Sequence, residues 1–236
     1  RVTFLPDNEV YAKIEWDWKR VVEHLRQQAF LTKGIKIEIV DQRTLPANYH
    51  GFYFDGGLLS FIKYINEGEK LIQDDPFYVH KEQEKIDVEA AFLYNEDIET
   101  RELSFANNIY TPDGGMHLTG FRSALTRTLN DYANKEGWIK GKDDNLTGDD
   151  VREGLSAIVA VKLRDPQFEG QTKARLGNPP ARTAVESVVG EAMKDWLERH
   201  PQDARKVVEK CLLALKARKA AKAAKDTVLR KGALDG

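Results

Sequence analysis

A short polar run in the C-terminal half of the chain has the residue types needed to hold a phosphate group. Phe168-Glu169-Gly170-Gln171-Thr172-Lys173 follows an apolar, strand-like stretch at residues 155–161. Glycine permits a tight turn and a close approach to a ligand. The amide, hydroxyl and ammonium groups that follow all donate hydrogen bonds, and lysine brings a compact positive charge to a polyanion. The alternative is an ordinary solvated loop, because most surface lysines simply face water.

A second candidate is a concentration of positive charge near the C-terminus. Residues 203–231 contain ten Lys or Arg against three acids, although the whole chain has a formal net charge of −2. Helical spacing of Arg218, Lys222 and Lys225 predicts one basic face. The candidate cations of this face are Lys216, Arg218, Lys219, Lys222 and Lys225. Such a face favours weak, salt-sensitive contact with nucleic acid phosphates, or alternatively only keeps the helix solvated.

Other chemistry is poorly supported by the sequence. The five histidines have no spacing typical of metal ligands, so no metal site is predicted, and His117 is predicted to make a structural hydrogen bond at a helix start. The single cysteine, Cys211, falls on an apolar helix face and is predicted to be a buried, inert thiol. No apolar run is long enough to predict a membrane span, and a lone cysteine suits a reducing cytoplasm, which we expect to be the location.

Mixed strands and helices are predicted to position these residues. Alternating or continuous apolar residues predict strands near residues 35–39, 52–54, 77–82, 86–94, 100–106 and 155–163. Helical spacing predicts helices near residues 18–29, 58–65, 118–132, 148–153, 185–197 and 202–231, the last one starting at Pro201. Strands followed by helices indicate the α+β class rather than a repeated βαβ unit.

With its flanks, the lysine run resembles the signature loop of the DNA gyrase B family. The resemblance continues in order through the blocks Phe4-Leu5-Pro6-Asp7, Ala29-Phe30-Leu31, Asp55-Gly56-Gly57, Asn107-Asn108-Ile109, Gly114-Gly115-Met116-His117, Gly120-Phe121-Arg122, Leu125-Thr126-Arg127, Asp149-Asp150-Val151-Arg152-Glu153-Gly154-Leu155 and Arg230-Lys231-Gly232-Ala233-Leu234-Asp235. The part of that type IIA topoisomerase ATPase subunit which these blocks resemble is the transducer domain.

The resemblance implies a fold and a division of the chain. The implied fold is that of domain two of a small-subunit ribosomal protein, with a four-stranded, mainly antiparallel sheet packed by helices, a left-handed βαβ crossover and a long C-terminal helix. Residues 1–14 would be the tail of an ATPase domain or a linker, residues 15–200 the transducer, and residues 201–236 a basic helix leading to a metal-binding domain. The sequence has no counterpart of the adenine pocket, the magnesium-binding asparagine, the catalytic glutamate or the glycine-rich lid, so we expect a fragment of a larger protein.

The resemblance also implies roles for the candidate residues. Lys173 would bind the γ-phosphate of ATP and act as a catalytic residue, with Gln171 assisting it. Arg122 would face the central hole of a dimer, where a DNA segment is captured, and the basic face near the C-terminus would join it there. The implied cofactors of the intact protein are ATP and Mg²⁺. Its implied partners are DNA, the gyrase A protein and a second copy of the gyrase B protein, with no membrane, and the isolated chain is expected to be inactive.

Three other interpretations remain open. The chain could be the transducer of the ATPase subunit of topoisomerase IV, although Leu176-Gly177-Asn178 after the lysine resembles gyrase more closely. It could be a nucleic-acid-binding module of the same fold without a nucleotide role, which would require basic residues on the sheet face. It could also be the middle domain of a related chaperone or mismatch-repair ATPase, but these share the domain plan without the Gly170-Gln171-Thr172-Lys173 block in such flanks.

Overall fold

The computed structural model describes residues 1–139, 141 and 144–234. In chain order the elements are α1 (Trp18–Leu31), β1 (Lys36–Asp41), β2 (Asn48–Tyr53), α2 (Leu58–Ile65), β3 (Phe77–Gln83), β4 (Ile86–Tyr94), β5 (Arg101–Ala106), β6 (Ile109–Tyr110), α3 (Met116–Lys135), β7 (Leu155–Lys162), β8 (Phe168–Glu169), β9 (Arg175–Leu176), α4 (Pro179–Arg199) and α5 (Pro201–Leu234). The chain divides into two compact units, Arg1–Ser60 and Phe61–Gly236. The boundaries predicted after residues 14 and 200 stay predictions, and residues 235 and 236 of the last predicted segment lie outside the described residues.

The first unit combines α1 with the antiparallel pair β1–β2. Asp17 caps α1 by accepting a hydrogen bond from the backbone N–H of Arg20 at 3.2 Å, as N-cap aspartates commonly do. The rings of Phe30 and Phe54 stack with centroids 3.7 Å apart. The strand predicted at residues 52–54 begins earlier in the structure, because β2 covers Asn48–Tyr53.

The second unit is built on a five-stranded mixed sheet in the order β3-β4-β7-β5-β6. Neighbouring strands are antiparallel except for the parallel pair β5–β7. The predicted count of four strands was therefore wrong, because the two-residue strand β6 pairs with the end of β5. Parallel neighbours need a long crossover connection, and the segment between β5 and β7 contains α3. The left-handedness predicted for this crossover stays a prediction.

The main core lies on one face of this sheet, beneath α3, α4 and the first half of α5. Alternate residues of β4, such as Val88, Ala90 and Phe92, belong to it and are fully buried. Helices α3 and α4 approach closely at Gly120, where an added Cβ would overlap the backbone carbonyl of Arg182. The absence of a side chain at this glycine therefore sets the spacing between the two helices.

The short helix predicted near residues 148–153 was wrong. Thr147 and Asp150 bond as in a capping box, since the Asp150 carboxylate accepts from the backbone N–H and the hydroxyl of Thr147, both at 2.8 Å. The chain then makes only consecutive turns and changes direction at Gly154, whose φ is +74°. The other predicted helices are present, and α5 begins at Pro201 as expected and runs for 34 residues.

Candidate functional site

The candidate lysine lies at the tip of a small hairpin formed by β8 and β9. The two strands are antiparallel, with Phe168 opposite Leu176. Gly170 and Lys173 both have left-handed backbone conformations, with φ of +78° and +56°. The N–H of Lys173 donates to the carbonyl of Gly170 at 3.3 Å. A non-glycine residue in this conformation costs about 1–2 kcal/mol, so the tight turn that exposes Gln171 and Lys173 is kept at the expense of local strain.

The ammonium group of Lys173 is available to an external anion. Among the residues that the structure describes, no carboxylate forms an ion pair with it, and its Nζ lies 5.9 Å from the ring centroid of Phe168. The acid nearest the tip, Glu169, instead pairs with Arg175 at 3.2 Å. The hairpin thus neutralises the arginine at its base and leaves the lysine at its tip uncompensated.

The base of the hairpin is closed by Asn178. Its Oδ1 accepts from the backbone N–H of Gln167 at 2.6 Å, and its Nδ2 donates to the carbonyl of Asp165 at 3.0 Å. Asn178 is also the N-cap residue of α4, but its side chain makes no capping bond to the helix. Pro179 and Pro180 follow, and proline suits the first turn of a helix because it lacks an N–H. The amide side chain is therefore free to fix the hairpin to the start of α4.

Backbone hydrogen bonds also join the hairpin to the turn before α3. The N–H of Leu176 donates to the carbonyl of Gly114 at 3.1 Å, and the N–H of Asp113 donates to the carbonyl of Ala174 at 3.0 Å. Gly115 has a φ of +130°, and an added Cβ would lie 2.5 Å from the backbone nitrogen of Leu176. Only glycine allows two chain segments to approach this closely in that conformation. The tip carrying Lys173 is thus connected to the first residue of α3 through fixed backbone.

Arg122, the predicted DNA-cavity residue on α3, is held by a carboxylate. Its Nε donates to the two carboxylate oxygens of Glu102 at 3.0 and 3.2 Å, and a second guanidinium nitrogen donates to the same carboxylate. The hydrogen bond to Glu102 raises the pKa of Arg122. The pair lines an open cavity of about 340 Å³ that is also lined by Thr119 and by Arg175 of the hairpin. Sequence reasoning missed Glu102, which comes 20 positions earlier in the chain.

The cations predicted on α5 fall into two groups. Arg218 forms a double contact with Asp150, through Nε at 2.9 Å and a terminal nitrogen at 2.8 Å. Lys219 forms an ion pair with Asp144. The Asp150 side chain is only 2% exposed. Burial acts to raise the pKa of Asp150, but its hydrogen bonds from Arg218 and Thr147 outweigh burial and leave that pKa below its ordinary value.

The second group on α5 consists of Lys216, Lys222 and Lys225. All three are exposed, as is every described position from residue 216 to residue 229. Within the described part of the chain, these three lysines have no ion-pair partner. The predicted basic face therefore contains two kinds of cation. Arg218 and Lys219 are paired with acids, and the other three are unpaired among the described residues.

The remaining reactive residue types have structural roles. His117 is buried in the first turn of α3, with its Nε2 3.3 Å from the hydroxyl of Thr111, which confirms the predicted structural hydrogen bond. Burial lowers its pKa to about 4. Cys211 is buried as predicted, and burial raises the pKa of its thiol to about 12, so it is inert at neutral pH.

The described ranges lack two further features, clustered metal ligands and membrane-spanning helices. Residues 1–139, 141 and 144–234 contain no group of three or more His, Cys, Asp or Glu able to hold a metal ion. In the same ranges, no helix has both the length and the apolar composition that a membrane span requires.

Comparison with known proteins gives consistent matches. The family model described as DNA gyrase B matches residues 57–227. The DNA gyrase B protein of Clostridium acetobutylicum is 44% identical over 236 residues, which is 100% of this chain and 37% of that protein. The corresponding protein of Cytophaga aurantiaca is 41% identical over 240 residues, covering 100% of this chain and 50% of its own length. The chain thus spans no more than half of these relatives.

Solved structures resemble the chain in fold as well. The 43K ATPase domain of Thermus thermophilus gyrase B, solved with an aminocoumarin, superimposes with a TM-score of 0.82 at 41% identity and covers 94% of this chain and 59% of that one. The topoisomerase IV ATP-binding domain of Francisella tularensis, solved with an inhibitor, has a TM-score of 0.77 at 25% identity and covers 90% of this chain and 57% of its own. The α+β class predicted from the sequence is confirmed by these matches.

Proposed function

Because the chain belongs to the DNA gyrase B family, we propose that it is the transducer part of an ATP-dependent DNA gyrase B protein. In this role Lys173 and Gln171 sense the γ-phosphate of ATP, and the second compact unit relays the nucleotide state to DNA-strand passage and supercoiling. The observation that carries the proposal is the exposed, unpaired ammonium group of Lys173 on a hairpin whose base is bonded to the turn before α3.

The chemistry of the tip suits a terminal phosphate. Cations placed where negative charge spreads over the phosphate oxygens stabilise phosphoryl transfer, and they act best when their position is fixed in advance. Lys173 would supply that charge, and the amide of Gln171 would donate a further hydrogen bond. ATP and Mg²⁺ are the proposed cofactors of the intact protein. Lys173 and Gln171 would meet the phosphate end of such a nucleotide. The described residues include no group of three or more His, Cys, Asp or Glu that could hold the metal.

The relay follows from where the hairpin is attached. A ligand shifts a conformational equilibrium only through contacts that differ between the two states. Contact between Lys173 and the phosphate would favour one position of the hairpin, and loss of the phosphate would remove that preference. Because Asp113 and Gly114 are bonded to the hairpin strand, a displacement of the tip acts directly on the backbone that starts α3. Arg122 lies on that helix.

The proposal also covers the partners, the location and the domain boundaries of the protein. The proposed partners are DNA, the gyrase A protein and a second copy of the gyrase B protein, in the cytoplasm. The proposed transducer covers residues 15–200 with the ribosomal-protein domain-two fold, and residues 201–236 form its outgoing helix. The transducer of a topoisomerase IV ATPase subunit is the second candidate. Identities of 44% and 41% to DNA gyrase B proteins over the whole chain favour gyrase.

Substitution of Lys173 by alanine tests the proposal in a longer protein that includes the gyrase-type ATPase domain. Turnover of ATP should fall by about 10²–10³-fold, because one preorganised charge contact to the transition state is lost. Nucleotide affinity should fall much less, since the contact is to one phosphate only. Steady-state turnover and equilibrium nucleotide binding measure the two effects.

A matched control is Lys222→Ala, which removes an exposed, unpaired lysine from α5 and should leave turnover unchanged. The 236-residue chain alone should not hydrolyse ATP. Turnover of Lys173→Ala within twofold of the unmodified protein would contradict the phosphate-sensing role.

A further inference from the structure

Arg122 and Glu102 differ sharply in their access to water. The Glu102 side chain is 8% exposed, whereas that of Arg122 is 43% exposed. Glu102 lies on β5, opposite Ala157 of the neighbouring strand β7, so its backbone position is fixed by the sheet. The guanidinium group of Arg122 therefore bonds a nearly buried carboxylate, while the rest of the Arg122 side chain is accessible to solvent.

The cavity beside this pair offers few free donors to an anion. It is lined by Arg122 and Arg175 and by three hydroxyl-bearing residues, namely Thr100, Ser104 and Thr119. Each of the three hydroxyl groups already donates to a backbone carbonyl. Both guanidinium groups are already paired with a carboxylate, Arg122 with Glu102 and Arg175 with Glu169. A phosphate group that approaches Arg122 must compete with a carboxylate already in place.

We propose that Glu102 is a positioning residue that withholds Arg122 from DNA phosphates. The proposal rests on the proposed function, in which Arg122 meets DNA. Carboxylate and phosphodiester groups both accept two parallel hydrogen bonds from a guanidinium group, so one can replace the other. That exchange leaves the Glu102 carboxylate buried without its partner, which is unfavourable. Arg122 therefore contributes less to DNA affinity than an unpaired cation of the same exposure.

The salt dependence of DNA binding tests this directly. It is measured on the dimer of a longer protein that includes the gyrase-type ATPase domain, because Arg122 is proposed to meet DNA in the hole of that dimer. With a 30-base-pair duplex as probe, log affinity should fall linearly with log salt concentration, by about 0.9 for each phosphate contacted. Glu102→Gln frees Arg122 and should steepen that slope by about 0.9. The ratio of the Kd at 200 mM salt to the Kd at 50 mM should then rise by about 3.5-fold, which follows from the same slope.

Two further variants complete the cycle. Arg122→Gln in the otherwise unchanged chain should alter the slope by much less than one phosphate contact, because the guanidinium group is already engaged. The double variant Glu102→Gln/Arg122→Gln should return to the starting slope. Circular dichroism and thermal unfolding establish that each variant is folded. If Glu102→Gln does not fold, Glu102→Ile also removes the carboxylate and suits a strand position.

The control is Glu198→Gln, which also removes one acid and frees one cation, because Glu198 pairs with Lys135 at 2.8 Å on the outer surfaces of α3 and α4. An equal change in slope for Glu102→Gln and Glu198→Gln would overturn the inference. So would the loss of a full phosphate contact in Arg122→Gln alone. Binding of duplex DNA by none of the variants would refute the inference together with the DNA role of Arg122, while the ATP test on Lys173 would be unaffected.

Discussion

The hairpin tip and the outer half of α5 both present unpaired lysines to solvent, but they hold them in different ways. Lys173 is three residues from Leu176, whose backbone is bonded to Gly114 and fully buried. Lys222 and Lys225 lie on a part of α5 that is exposed at every position from residue 216 to residue 229. A charge fixed by nearby backbone can be aimed at one phosphate oxygen, whereas a charge on an unsupported helix adds only general attraction to a polyanion.

The largest effect is expected from Gly115→Ala, which disrupts the contact between the hairpin and the turn before α3. The new Cβ would lie 2.5 Å from the backbone nitrogen of Leu176, in a conformation with φ of +130°. Overpacking against backbone and strain at a positive φ together should lower the free energy of unfolding by about 3 kcal/mol or more. Chemical denaturation monitored by circular dichroism measures the loss.

Gly170→Ala is the matched control in the same hairpin. Its φ is +78°, but an added Cβ would meet no atom within 4 Å. Only the backbone penalty applies, so the loss should be about 1–2 kcal/mol. Equal losses for the two substitutions would mean that contact with Leu176 does not anchor the hairpin.

The next effect concerns the point where α5 leaves the core. Arg218→Gln removes the partner of the buried Asp150 carboxylate and should cost about 2 kcal/mol of unfolding free energy at pH 7. The cost is below that of a fully buried pair because the Arg218 side chain is 42% exposed. Lys219→Gln, which breaks the exposed pair with Asp144, should cost less than about 1 kcal/mol.

The Arg218 effect should also depend on pH. The pKa of Asp150 lies below its ordinary value, so the ionised pair stabilises the fold above the unfolded-state pKa of about 3.9 and loses that contribution as pH falls through the lower folded-state value. The difference between the unmodified chain and Arg218→Gln should therefore be full at pH 7 and shrink below about pH 4. A difference that grew as pH fell would contradict the assignment of the pair.

The smallest effect on the fold is expected from substitutions in the exposed outer half of α5. Replacing Lys216, Lys222 and Lys225 together by Gln should change the free energy of unfolding by less than about 0.5 kcal/mol per site, because these side chains are exposed. The salt slope for duplex DNA should flatten by up to about 2.7, since each lysine contributes about 0.9. Fluorescence anisotropy over a range of salt concentrations measures it.

The same change in net charge is produced by replacing Lys33, Lys63 and Lys194, which are exposed elsewhere on the chain. That variant should keep the original slope. If the two triple variants behave alike, the α5 lysines only raise the overall charge and do not form a DNA-contacting face.

Most elements of the fold were predictable because their sequence patterns are strong. The alternation in β4 and the continuous apolar run of β7 indicated strands, and Pro201 marked the start of α5. Strand β6 was missed because two residues carry no periodicity. A usable signal did precede it, since Asn107 and Asn108, with φ of +49° and +62°, form the kind of two-residue turn that asparagine favours.

For the candidate site, the residues could be predicted but their partners could not. The exposed lysine run was evident from its residue types. The pairing of Arg122 with Glu102 depends on how α3 packs beside β5, and Arg218 finds Asp150 across 68 positions of chain. No local pattern encodes such contacts, because any acid brought near in space by the fold would serve. Charge patterns therefore indicate where cations concentrate but not which of them are already neutralised.

The left-handed conformation of Lys173 has a consequence for engineering. Glycine or asparagine would occupy this position with less strain, so either substitution should make the isolated hairpin more stable while deleting the charge on which the proposed function depends. A substitution that increases stability at this residue is therefore expected to remove the proposed activity. A library of variants ranked only by heat resistance would favour the loss of the lysine and select a stable protein without the charge that the proposed phosphate contact requires.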